Sequence, residues 1–118
     1  MFRKTLYWLW VLVFWFGLSA HAQTIVWISE TNANADSVYF DQGWIDLLKE
    51  AGYTVDFRPG EWMTLDADKL ATLDSADLII ASRNSNSGNY ASDATEIAQW
   101  NSVPTPLMMM TVYWCRNN

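Results

Sequence analysis

Asp77-Leu78-Ile79-Ile80-Ala81-Ser82, read as DLIIAS, decides the fold. Its centre, Leu78 to Ala81, is an uninterrupted apolar run, and Ser82 leads at once into the polar stretch Arg83 to Tyr90, RNSNSGNY. Side chains alternate between the two faces of a strand, so a run that is apolar at every position is covered on both sides. That is the condition of a parallel sheet flanked by helices. Thr24-Ile25-Val26-Trp27-Ile28 repeats the pattern upstream.

Between these two strands the periodicity changes. Phe40, Trp44, Leu47, Leu48 and Ala51 fall at i, i+4, i+7, i+8 and i+11 and predict one apolar helical stripe, with Asp41, Asp46, Lys49 and Glu50 toward water. Asp36, Ser37 and Asp41 are the candidates for capping its start, and Gly52 suits the left-handed residue that ends it. A second strand is expected at Tyr53 to Phe57, stopped by Arg58-Pro59-Gly60. A short helix is expected between Asp66 and Asp74, with Leu65, Leu70 and Leu73 as its apolar positions.

A third helix is expected from Asp93 to Asn101, where Asp93 and Glu96 have capping-box spacing. Pro104 and Pro106 lead into a last strand, Leu107 to Val112, whose methionines read as core filler in a central strand. Strands alternating with helices predict one α/β domain with a parallel sheet of about four strands. Doubly wound domains continue with a further helix and strand, so the domain is expected to be cut short.

Residues 1–22 read as a leader outside this domain, which occupies 23–118. Arg3 and Lys4 precede the apolar run Trp8 to Leu18, and Ala20-His21-Ala22 is a small-x-small cleavage site, the pattern of a secretory signal peptide. The apolar run is shorter than the roughly 20 residues that span a bilayer, so cleavage after Ala22 and a secreted or periplasmic domain are expected, with tethering by an uncleaved leader as the alternative. Cleavage removes His21, the only histidine, and leaves five basic side chains against thirteen acidic ones, a net charge of −8. Nucleic acid is thereby disfavoured as a partner, and so is an anionic membrane surface after cleavage. Cys115 is the only cysteine; it forms no intrachain disulfide, and a buried thiol is the expectation.

Ligands of open parallel sheets bind outside the carboxyl ends of the strands. Here that edge is formed by Ser29 to Ser37, Arg58 to Met63, Ser82 to Tyr90 and Tyr113 to Asn118. Nucleophilic catalysis lacks its parts, because the serines have no histidine base and no nucleophile elbow surrounds them or Cys115. The spacing of Glu30, Asp36 and Asp41 fits no metal-binding loop, and no glycine-rich phosphate loop is present, so neither metal nor cofactor is expected. What remains is a binding set: Ser29, Glu30, Asn32, Ser82, Arg83, Asn84, Asn86 and Tyr90. It suits a small polar ligand, a carbohydrate or a carboxylate, or else a protein partner. Arg83 has a second reading as the ion-pair partner of Glu30 or Glu61, with the Asn and Ser residues as turn formers. Trp62, Tyr90, Tyr113 and Trp114 at the same edge offer aromatic faces for a sugar.

A strand, a helix ending Leu47 to Val55 (LLKEAGYTV), a short helix, Ala76 to Ile80 (ADLII), a polar loop and Trp100 to Leu107 (WNSVPTPL) carry, in that order, one resemblance; Asp41-Gln42-Gly43, Ala51 to Val55 (A-G-Y-x-V), Ser82 to Tyr90 (S-R-x-x-x-S-G-x-Y) and Trp100 to Leu107 (W-N-S-x-x-T-P-L) carry a second. Over Thr24 to Arg116 the chain resembles, by the first, the N-terminal half of a class I glutamine amidotransferase-like domain, a superfamily that includes ThuA-like proteins linked with sugar metabolism; by the second it is similar to exported bacterial proteins. The resemblance implies a flavodoxin-like three-layer sandwich. It transfers no catalytic residue, because the elbow cysteine has no counterpart. The alternative to a binding domain is an amidotransferase-like or hydrolase enzyme whose reactive residues lie beyond Asn118.

Overall fold

The computed structural model describes residues 22–111 and 114. It is an α/β arrangement consistent with a flavodoxin-like sandwich: strands β1 (Thr24–Ile28), β2 (Thr54–Phe57), β3 (Leu78–Ala81) and β4 (Leu107–Met109), with helices α1 (Gln42–Glu50), α2 (Ala67–Ser75) and α3 (Ala94–Ser102). The sheet is wholly parallel in the order β2-β1-β3-β4. Val26 pairs with Asp56 on one side and Ile79 on the other, and Ile80 pairs with Met108. Strand order reverses direction between β1 and β3, whose runs Ile25 to Ile28 and Leu78 to Ala81 are wholly apolar.

Alternation along β1 and β3 feeds two cores. Val26, Ile28 and Ile79 meet Trp62, Leu73, Ala76 and Tyr90 on one face, with Trp100 and Val103 packed against them. Ile25, Trp27 and Ile80 meet Ile45 of α1 on the other. Capping follows sequence for two of the helices: Asp66 accepts the Lys69 N–H at 2.8 Å, and Asp93 accepts those of Thr95 and Glu96. Glu96 reaches back to the N–H of Ser92 (2.9 Å) instead of to that of Asp93, so the box closes one residue early.

Three expectations are corrected. The buried face of α1 is Ile45 with half-buried Leu48, while Phe40, Trp44 and Leu47 are exposed. Asp41, Ile45 and Leu48 are spaced i, i+4, i+7, an equally regular stripe, and the sheet selects it. Asp41 does stand at the N-cap position, but its carboxylate makes no cap bond. Finally, β4 is an edge strand of the described sheet and not a central one. Its methionines are open to solvent, Met108 at 51 %, as an edge position allows. Residues 1–21, Val112, Tyr113 and Cys115, and with them the leader and the thiol, lie outside the described residues.

Candidate functional site

At the β1/β3 reversal the two strands lead into loops that are bonded to each other. The Ser82 N–H continues the ladder to Ile28 O (2.9 Å), and the Glu30 N–H donates to Asn84 O (3.0 Å). Glu30 Oε1 then accepts from the Asn86 N–H (2.7 Å) and from Asn89 Nδ2 (3.0 Å). The side chain of Asn86 accepts from the Gly88 N–H (3.1 Å), which starts the 3₁₀ turn Ser87–Asn89. A loop of this composition is held because the backbone N–H groups of Asn84, Ser85, Asn86, Gly88, Asn89 and Tyr90 all have acceptors.

The loop rests on a buried node. Asp41 Oδ2 accepts from Ser82 Oγ at 2.5 Å and from Trp27 Nε1 at 3.0 Å, all three residues being buried. Ser82 Oγ in turn accepts the Asn84 N–H (2.8 Å), and Ser85 Oγ donates to Ser82 O (2.6 Å). The Ser82 hydroxyl is thus both donor and acceptor, 1 % exposed, and closed to any substrate. It positions the loop. Its carboxylate partner is not a general base facing a ligand.

A third loop braces the first. Gly60 donates to Ser29 O at 2.7 Å with φ +79°, and a Cβ there would stand 2.9 Å from Thr31 Cγ2. Arg58 forms a bidentate pair with Asp56 (2.9 and 2.8 Å), lies 3.6 Å from Glu61, and stacks 4.3 Å over the fully buried Trp62 ring.

Between the first two loops lies an open cavity of about 300 Å³ lined by Glu30, Asn32, Arg83, Asn84, Ser85, Asn86 and Ser87. Five of the eight residues expected from sequence therefore come together. Ser29, Ser82 and Tyr90 are buried instead and do not line it. Ser85 and Ser87 were not among the candidates; their place two and four residues after Arg83 in the same loop was the available signal. Arg83 is exposed and makes no ion pair among the described residues, which corrects its pairing with Glu30 or Glu61: Glu61 lies beside Arg58, and Glu30 Oε1 is occupied by the loop. Glu30 Oε2 accepts no hydrogen bond among the described residues.

The aromatic platform is also corrected. Trp62 and Tyr90 belong to the core, and Tyr90 stacks on Trp114 with ring centroids 4.6 Å apart. Burial first, and the Glu30 carboxylate second, push the Tyr90 phenol above its ordinary 10.0. Its hydroxyl has no hydrogen-bond partner among the described residues. Among the described residues no three His, Cys, Asp or Glu side chains gather in a way that holds a metal ion. A larger cavity of about 510 Å³ beside α1 is walled mainly by apolar residues, Ile25, Trp27, Trp44, Leu78 and Met108 among them, far from the polar loops in chemistry.

No family model, curated protein or solved structure matches the chain. The site's chemistry therefore rests on its own geometry.

Proposed function

We propose that this protein is an exported α/β domain that binds a small polar ligand, a carbohydrate or a carboxylate, in the crevice between the β1 and β3 loops, without catalysis by the residues that line it. The observation that carries the reading is the Arg83 guanidinium, unpaired among the described residues, on a polar cavity at the reversal of strand order, the position where open parallel sheets take ligands. Asn32, Asn84 and Ser87 add side chains that make no hydrogen bond among the described residues, groups that both donate and accept. Support for export is the basic, apolar and small-residue succession of residues 1–22; no described helix is long and apolar enough to cross a membrane. Kinship with glutamine amidotransferase-like or ThuA-like proteins belongs to the same proposal and rests on the order of elements with Leu47 to Val55, Ala76 to Ile80 and Trp100 to Leu107.

Calorimetric titration of the full chain with neutral sugars, sugar acids and simple carboxylates tests the reading. Saturable binding that Arg83→Ala abolishes, with the fold intact, supports it. Binding that is indifferent to Arg83 overturns it.

A further inference from the structure

The cavity presents two opposite charges that do not pair with each other, and one of them has already consumed the loop's own donors. Successive backbone and side-chain N–H groups in a turn make a concave anion site. In this loop the Asn86 N–H and the Asn89 amide both point to Glu30 Oε1. The place where a ligand carboxylate or phosphate would sit is filled by the protein's own carboxylate. Glu30 Oε2 remains without a partner among the described residues, an acceptor on a cavity that Arg83 also lines. A second anion entering here meets Glu30 at close range as well as a chain whose net charge is −6.

We infer that Glu30 is the specificity-determining residue of this cavity, excluding anions and selecting a neutral polyhydroxylated ligand. Hydroxyl groups of that ligand donate to Glu30 Oε2 and accept from Arg83. The inference rests on the binding reading above and narrows it from two ligand classes to one. The volume of about 300 Å³ is at the lower end of the range of small-ligand sites.

The experiment compares D-glucose with D-glucuronate, which differ by one carboxylate at nearly equal size, by titrating the full-length protein and its Glu30→Gln and Arg83→Ala variants. Gln keeps a carbonyl oxygen for Asn86 and Asn89, and circular dichroism confirms that each variant stays folded. The wild type is expected to bind glucose roughly tenfold or more tightly over glucuronate, as like charges at short range require. Glu30→Gln is expected to narrow or invert that ratio, and Arg83→Ala to weaken both. Binding of both with no preference, or a preference that Glu30→Gln leaves unchanged, overturns the role of Glu30 while the site stands. Binding of neither overturns the site reading and this inference together.

Discussion

Ser82 Oγ donates to Asp41 Oδ2 at 2.5 Å across 41 residues of sequence, with Trp27 Nε1 bonded to the same oxygen. One carboxylate thus fastens the start of α1 to the ends of β1 and β3. Asp41→Ala leaves two buried donors without an acceptor and is expected to cost about 3 kcal/mol of stability in urea unfolding. Ser82→Ala is expected to cost about 1 kcal/mol, and the double variant less than the sum. A loss for Asp41→Ala as small as that of an exposed acid contradicts the node.

How much of this was legible depends on the kind of contact. The apolar runs of β1 and β3 dictate burial on both faces, so the layered α/β fold follows from sequence. Asp41 at a helix start reads as a cap because local chemistry is all that a sequence displays; its partners come from two other strands. The Met run is apolar enough for a core, and only the strand order puts it at an edge. Glu30, Asn32, Arg83, Asn84 and Asn86 were legible because both loops follow apolar strands; Ser29, Ser82 and Tyr90 share those loops but turn inward.

The face of α1 offers a direct contrast. Ile45 is fully buried and Leu47 exposed. Ile45→Ala is expected to cost about 3 kcal/mol and Leu47→Ala no more than about 0.5 kcal/mol. Thermal or urea unfolding of the two variants distinguishes this face from the Trp44/Leu47 stripe, which demands the reverse order.

In the bracing loop, Gly60→Ala meets a left-handed backbone and the Thr31 methyl group together. It is expected to cost about 1–2 kcal/mol. Arg58→Ala loses the Asp56 pair and the cover over Trp62, about 1 kcal/mol. Urea midpoints of the two variants check both values.

Tyr90 gives a pH dependence. Its folded-state pKa lies above the ordinary 10.0, so the folded state holds the phenolic proton more tightly than the unfolded chain does. That linkage is intact below pH 10 and is lost progressively as pH rises above it. Tyr90→Phe is expected to remove this alkaline loss and, since the hydroxyl has no partner, to leave neutral-pH stability equal or up to about 1 kcal/mol higher. Tyrosinate absorbance followed alongside unfolding checks the assignment.

The central claim is that the polar cavity between the β1 and β3 loops is a ligand site. Amide NMR of the full chain, titrated with the neutral sugar and carboxylate panel, tests it most directly. Saturable shifts confined to Glu30, Asn32 and the Arg83 to Ser87 loop, and absent in Arg83→Ala, are the predicted result. Shifts that gather instead around Trp44, Leu47 and Met108, or that persist without Arg83, would contradict it.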